Sequence, residues 1–547
     1  MRRILLVTLI FLASCSLAEG RKANVKGTVT ADGKPLAGVL VSDGDTFVRT
    51  DRKGRYSMFS DKADSTVFVI SPSGYTADLV DGIRPGFWAA LTRGQDECER
   101  HDFSFHREDQ STYTVYFTPD LHLGAIPYRH ELERLEKTVL PKLREFCAED
   151  AVSGPVYSMC LGDITQDKFW YHYGYDGGDG YRTMTECGYP TPVYAITGNH
   201  DNDGAVFTDN TDFDAAWLYR KCWGPDKYSV NIGDCHWIFM DDIIYVNDIE
   251  GNRKAVVNHN YECGFTERQL KWLEKDLSFL PDDARICFCT HIPLVNSFSE
   301  SGIRISKKQM DTVYALFSRF TNDVTAYSGH IHHFDFCINP DYPRYHQYSM
   351  PAASGCMWET IDGARFYAED GGAAGVYSVR FSAGEAPQGR YRTYWEGDTY
   401  FRAYDLNSVG GYYRDDPGFA FQKKNIPSAP DYSDECFRNC VLVNYWAIEP
   451  GERVEMLECG KALEVVNKPM VDPLNNITFT IPRSIRTAAK KKKKMREVEG
   501  PRYSNKMFMG KASAPDTPVT IRIYAADGSL RYEQTVARPK PFAPEAE

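Results

Sequence analysis

At 547 residues the chain has room for roughly two to four domains. An apolar content of 42% and a charged content of 25% are those of an ordinary globular protein and exclude a long disordered region. A net charge of −12 argues against a nucleic-acid backbone as the main partner, and no duplex is expected to bind.

Residues 1–18 read as an export signal: Arg2 and Arg3 precede an apolar stretch, Ile4 to Ser14, that is too short to span a bilayer. Leu12-Ala13-Ser14-Cys15 fits a lipobox, in which the Cys becomes acylated and N-terminal. Ordinary cleavage after Ser16-Leu17-Ala18 also satisfies the small-residue rule. The lipobox is preferred because Cys15 falls directly at the end of the apolar run. No later segment is apolar for long enough to span a membrane, so the mature chain is expected outside the cytoplasm, soluble or tethered through Cys15. Export favours disulfides, but Cys160, Cys287 and Cys289 lie in strand-like runs, where thiols behave as small hydrophobes. Spacing does not decide whether Cys436 and Cys440 pair, and no Cys pattern suits zinc.

Residues 19–108 read as a small all-β sandwich. Val25, Gly27 and Val29 alternate with polar neighbours, Asp32-Gly33 and Asp43-Gly44 turn, and Val67 to Ile70 form a further strand. Residues 109–375 alternate strands with helices. Apolar strands are predicted at Thr114–Phe117, Val156–Leu161, Val193–Thr197, Arg285–Thr290 and Val324–Tyr327. A helix carries Leu132, Leu135, Val139, Leu143 and Phe146 on one stripe, with Pro141 disturbing its middle. A second helix, Thr266–Leu277, opens with Thr266 and Gln269 as a capping box. Residues 376–547 return to β: Tyr377, Val379 and Phe381 alternate, as do Val519, Ile521 and Ile523 before an Asp527-Gly528 turn. One charged, loosely structured stretch is expected near 484–500. Its run Lys490 to Lys494 reads as a solvated loop, or as a contact for an anionic surface.

The chemistry lies in the middle unit. Asp120-Leu-His122, Gly162-Asp163, Gly198-Asn199-His200-Asp201, His291 and Gly329-His330-Ile-His332 each follow an apolar strand. Taken singly, Asp120-Leu-His122 and Gly162-Asp163 are weak signals, Gly198-Asn-His-Asp201 is stronger because it follows an apolar strand immediately, Gly329-His330-Ile-His332 is uncommon, and a lone His is usually a hydrogen-bonded core or surface imidazole. In order, each at a strand end, they supply oxygen and imidazole donors where layered α/β folds bind ligands. Such a set suits a pair of divalent metals about 3.5–4 Å apart, and hence in-line attack at phosphorus.

On these motifs, residues 113–335 resemble the calcineurin-like metallophosphoesterase superfamily. The whole chain is similar to its exported bacterial members, which carry an immunoglobulin-like β module in front and a β domain behind. The resemblance implies a multidomain fold, with a central α/β layered β-sandwich flanked by an N-terminal all-β sandwich and a C-terminal mainly-β domain. It implies that Asp120, His122 and His332 hold one metal. Asp163 bridges to a second, which Asn199, His291 and His330 complete. A hydroxide between the metals attacks phosphorus. His200 contacts the phosphoryl group and protonates the leaving oxygen, and Asp201 orients His200. Manganese, iron and zinc all fit the donor set.

This chain departs from the Ser/Thr protein phosphatases of the superfamily: Gly162-Asp163-Ile-Thr-Gln-Asp167-Lys168-Phe169 lacks their Asp-Arg-Gly. Asp120-Leu-His-Leu-Gly is like enzymes acting on nucleotide- or lipid-linked phosphodiesters. The aromatic stretch Phe169, Trp170, Tyr171, Tyr173, Tyr175 and Tyr181 reads either as a packed helix and loop or as a stacking wall at the site mouth. Trp358 is expected on the same rim, and Asp176-Gly-Gly-Asp179-Gly at a lid edge. The expected activity is extracytoplasmic hydrolysis of a phosphodiester or a lipid- or nucleotide-linked phosphate, with a phosphomonoesterase as the alternative. A surface-binding protein with an inactive core would have lost ligands, and none is missing. Oligomeric state is not readable.

Overall fold

The computed structural model describes residues 22–544 apart from 128, 247–260, 298–300, 360–366, 396, 398 and 491–499. The expectations for residues 1–18, Cys15 and Lys491 to Lys494 fall outside the described residues. Among the described residues, no helix is long and apolar enough to cross a membrane.

The front of the chain forms two main sheets, one six-stranded around Val25–Ala31 and one four-stranded around Thr66–Val69, and a two-stranded ribbon of Leu79–Val80 with Arg84–Pro85. Alternation along Val25–Ala31 sends Val25, Val29 and Ala31 inward and Lys26 to solvent. This module shares one continuous apolar core with the central unit. Phe47 stacks on Trp272 with centroids 6.0 Å apart, and Phe87 meets Tyr228 at 5.0 Å. Lys227, only 3% exposed, pairs with Asp64. Arg268 reaches Asp64 at 2.8 Å and also pairs with Asp45.

The central unit is two sheets packed face to face. In the first, Thr112–Phe117 runs parallel to Val156–Leu161, which runs parallel to Val193–Ile196. In the second, Cys235–Met240, Arg285–Cys289, Val324–Ser328 and Tyr345–Ser349 are successive parallel neighbours. Rings close the gap between sheets: Phe117 lies 4.4 Å from Tyr327, and Trp237 lies 5.4 Å from Phe381. Parallel pairing puts the carboxyl ends of the strands within each sheet at one edge.

Two predicted helices form with local adjustments. Thr266 and Gln269 make the reciprocal capping box. Around Pro141 the chain widens into a π turn, Leu135–Val139, before the α-helix Leu140–Asp150 resumes. Proline lacks a donor and crowds the preceding turn, and a wider turn relieves both.

The rear of the chain corrects two expectations. Gly375–Ser382 and Gln388–Thr393, read from sequence as the start of the C-terminal domain, belong to the central first sheet: Gly375–Ser382 pairs with Thr112–Phe117, and Gln388–Thr393 pairs with Gly375–Ser382. Alternation predicts a strand but not its partner. The remaining C-terminal unit has two four-stranded sheets, and it also contains the helices Leu406–Asp415, Pro417–Asn425 and Ile481–Lys490. The last of these occupies the start of the stretch expected to be loosely structured. The fourteen described cysteines are free, Cys436 and Cys440 included.

Candidate metal centre

Each sequence motif lands just past a strand end, and the loops converge from both central sheets. The carboxylates and imidazoles of Asp120, His122, Asp163 and His332 offer ligand atoms within 4.8 Å of one another, and so do those of Asp163, His291 and His330. Asp163 is common to both groups. Asn199 joins the second: its Oδ1 lies 3.0 Å from His291 Nε2 and 3.0 Å from His330 Nδ1.

The backbone is bent to achieve this. Asp120 (φ 56°), His122 (φ 48°), Asp163 (φ 54°), His330 (φ 70°) and His332 (φ 61°) all occupy the left-handed region. A non-glycine residue there costs about 1–3 kcal/mol, and such strain clusters at functional sites. The motif glycines allow close approach. A Cβ on Gly198 would sit 2.3 Å from the Asp163 backbone nitrogen, and one on Gly162 (φ 90°) would sit 2.6 Å from His291 Nδ1.

Neighbours fix each ring. His291 Nδ1 meets the Leu161 carbonyl at 2.7 Å, so its Nε2 faces inward. Gln166 Nε2 lies 3.3 Å from His122 Nδ1, and Arg129 donates to Gln166 Oε1 at 2.9 Å. Glu369 lies 3.5 Å from His332 Nδ1. The His330 N–H donates to both Asp120 oxygens at 3.1 and 3.0 Å, tying the last motif to the first. Asp242 receives the Ile292 N–H at 3.0 Å and the His291 N–H at 3.2 Å, holding the His291 loop. Such outer partners orient metal ligands.

The donor set fits two cations. His122 Nε2 and His332 Nε2 are 2.9 Å apart, and His330 Nδ1 and His291 Nε2 are 3.2 Å apart. Nitrogens that close share either a proton or a cation between their lone pairs, and the carboxylate and amide oxygens around them suit a cation. Burial, then the neighbouring His332, holds His122 well below the usual histidine range. Burial, then His291, does the same to His330. Neutral imidazole is the ligating form. Burial disfavours charge on His291, but Asp163 outweighs it and pushes His291 up to about 10. Asp163 itself, against the effect of burial, is held well below the carboxylate range by His291 and His200. Within the second group the ion-pair distance from His291 Nε2 to Asp163 is 3.4 Å.

His200 sits beside this cluster without belonging to it. Its N–H donates to Asp163 at 2.7 Å, and its ring Nε2 stands 4.0 Å from the same carboxylate. Its Nδ1 lies 3.0 Å from Asp167 Oδ1. Here the sequence expectation is corrected: Asp201, expected to orient His200, accepts instead from the Thr165 N–H at 3.1 Å and the Gly198 N–H at 3.0 Å. Side chains of adjacent residues diverge, whereas the turn after Asp163 folds Asp167 back onto His200. Asp201 therefore ties together the loops that carry Asp163 and Asn199.

The aromatic stretch is mostly scaffold. Trp170 is buried and donates to Thr165 at 3.0 Å, Tyr175 is buried, and Tyr181 donates to Asp81 at 2.8 Å. Phe169 and Tyr173 stay half-buried, 5.6 Å apart. Trp358 does not reach the rim: it is fully buried, with Nε1 donating to the Leu121 carbonyl at 2.7 Å. The turn at Asp176–Gly180 is no lid edge but the capped start of the helix Gly177–Glu186. Sequence reasoning passed over Asp167, Gln166, Asp242 and Glu369. Asp242 carried a usable signal, since Asp241-Asp242 directly follows the apolar strand Cys235–Met240, as the ligand motifs follow theirs.

Comparison with known proteins gives two family matches: residues 113–334 to "Calcineurin-like phosphoesterase", and residues 23–108 to "N terminal of Calcineurin-like phosphoesterase". No curated protein matches the chain. Among solved structures, it is similar to a dimetal phosphatase from Danio rerio, with 16% identity, 52% of this chain and 99% of that one covered, and a TM-score of 0.32. It is also similar to the NAD nucleotidase of Haemophilus influenzae, with 11% identity, 51% of this chain and 55% of that one covered, and a TM-score of 0.25.

Proposed function

We propose that this chain, which belongs to the calcineurin-like phosphoesterase family and is a phosphoric ester hydrolase, acts outside the cytoplasm on a phosphodiester or a lipid- or nucleotide-linked phosphate. The observation that carries the reading is the convergence of two ligand groups on Asp163. Asp120, His122, Asp163 and His332 would hold one divalent ion, and Asp163, Asn199, His291 and His330 the other. Bound there, manganese, iron or zinc would supply Lewis acidity and neutralise charge on the phosphoryl oxygens.

The chain's own residues supply the rest. His200 stands beside the bridging carboxylate, near where a phosphoryl group bound to the centre would lie. Burial opposes charge on its ring, but Asp163, followed by Asp167, raises its proton affinity above that of an ordinary histidine. His200 is thus placed to give a proton to the departing oxygen. Asp167 accepts from Nδ1 at 3.0 Å, which fixes the ring with Nε2 on the side of the Asp163 carboxylate. Asp201 contributes by fixing the loops and touches no reacting atom. The signal-like residues 1–18 support extracytoplasmic action, and the absence of Asp-Arg-Gly after Gly162-Asp163 supports a substrate other than phosphoprotein.

The test is turnover of mono- and bis-(4-nitrophenyl) phosphate by purified protein with added Mn²⁺, Zn²⁺ or Fe²⁺. Metal-dependent turnover that favours the bis compound is expected. A preference for the mono compound would move the assignment to a phosphomonoesterase. No turnover with any metal would overturn the reading.

A further inference from the structure

A cavity of about 780 Å³ opens directly beside His330 and His332. Its far wall is the segment Pro501–Lys506 of the C-terminal unit, which lies outside both family matches. This segment is firmly seated. Lys506 is 6% exposed, with Nζ donating to the Phe334 carbonyl at 2.9 Å and the Trp446 carbonyl at 3.0 Å, and pairing with Asp370 at 2.5 Å. The side chains it presents to the cavity include Arg502 and Tyr503, half-exposed at 50% and 53%.

The charges facing the cavity fall into two sets. The carboxylates are engaged: Glu369 lies 3.5 Å from His332 and 3.4 Å from Arg502, Asp370 pairs with Lys506, and Asp335 accepts from Ser297 Oγ at 2.6 Å. Arg304, which also lines the cavity, is exposed and has no carboxylate within ion-pair reach among the described residues. Its guanidinium lies 3.4 Å from His330 Nε2. That contact needs Nε2 to be an acceptor. The other nitrogen, Nδ1, is the one turned toward Asn199 and His291. Arg304 thus sets a planar, always-charged donor on the cavity wall beside His330.

We propose that the C-terminal segment makes this cavity the leaving-group subsite, and that the preferred ester carries a second anionic group on its alcohol portion, bound between Arg304 and Arg502 with its body against Tyr503. This rests on the phosphoesterase reading. A guanidinium–carboxylate or guanidinium–phosphate contact gives charge-assisted, often bidentate bonds, worth about tenfold to a hundredfold in affinity.

The experiment compares phenyl phosphate with 3-carboxyphenyl phosphate, together with the methyl ester of each, so that either ester class reports. In parallel, calorimetry compares binding of phenylphosphonate and 3-carboxyphenylphosphonate to the metal-loaded protein. The wild type is expected to favour the carboxylated member by about tenfold or more in both kcat/KM and affinity. That preference should collapse toward one in Arg304→Ala/Arg502→Ala, and partly in Arg502→Gln if the double variant folds poorly. Turnover of the plain phenyl esters without any preference for the carboxylated ones would overturn this inference while leaving the phosphoesterase assignment standing. An equal loss on both members in the variants would also overturn it, and would make Arg502 a positioning residue acting through Glu369 on His332. No turnover of any ester would overturn the parent reading.

Discussion

The two flanking units attach to the same central sandwich in different ways. The front module joins it by burial: a shared apolar core, the Phe47–Trp272 stack and the buried Lys227–Asp64 pair. None of these contacts involves a candidate metal ligand. The rear unit joins it beside the chemistry. Lys506 anchors a segment whose Arg502 faces Glu369, and Glu369 faces the candidate ligand His332. Two β-rich units of similar appearance in sequence thus act as a buttress and as a wall. What separates them is not composition but which edge of the central sheets each one meets.

The largest effect expected tests the ground both units share. Asp163→Ala removes the carboxylate common to both ligand groups. It should lower kcat by about a thousandfold or more, with metal content falling in parallel by elemental analysis. Retained activity would break the account of the centre. Next, Lys227→Met leaves the Asp64 carboxylate buried and without its lysine. Arg268 still reaches Asp64, so the loss is expected at about 1–3 kcal/mol, to be read as a lower urea midpoint with kcat/KM unchanged below the transition. A loss of activity without a loss of stability would deny the front module its buttress role.

A smaller, sharper contrast lies between two carboxylates. Asp167→Asn should lower kcat about 10- to 100-fold, because it disturbs the partner of His200, with little change in stability. Asp201→Asn should destabilise by about 1–3 kcal/mol, because its oxygens pair with two buried loop N–H groups. If the two phenotypes came out exchanged, the original sequence assignment of Asp201 would be restored. Smallest is Tyr503→Ala on the wall, expected to raise KM a few-fold, or about 0.5–1.5 kcal/mol, without altering metal content. An unchanged KM would make the wall a spectator.

Much of the centre was legible because its chemistry demands particular residue types at strand ends. Asp120, His122, Asp163, Asn199, His291, His330 and His332 all lie in the converged cluster. Roles that depend on tertiary contact were not legible. Asp201 is next to His200 in sequence but faces Gly198 and Thr165, while Asp167 comes back through a turn. Trp358 looked like a rim residue because sequence does not reveal depth. Asp176 and Asp179 could have been read as a cap, since an Asp three residues before another matches the capping pattern. The helix Leu406–Asp415 was masked by Gly410-Gly411 in its middle, although Leu406, Val409 and Tyr413 keep helical spacing. Strand alternation at Tyr377, Val379 and Phe381 was plain, but pairing to Thr112–Phe117 joins segments over 250 residues apart, and no local pattern encodes that.

The central claim is a two-metal ester hydrolase built on Asp163. The most direct measurement is metal stoichiometry by elemental analysis, taken together with bis-(4-nitrophenyl) phosphate turnover, on wild type and Asp163→Ala. The account predicts two equivalents and metal-dependent turnover in the wild type, with both lost in the variant. A wild type that binds two equivalents and hydrolyses neither the bis nor the mono ester, or an Asp163→Ala protein that still turns over, would contradict it.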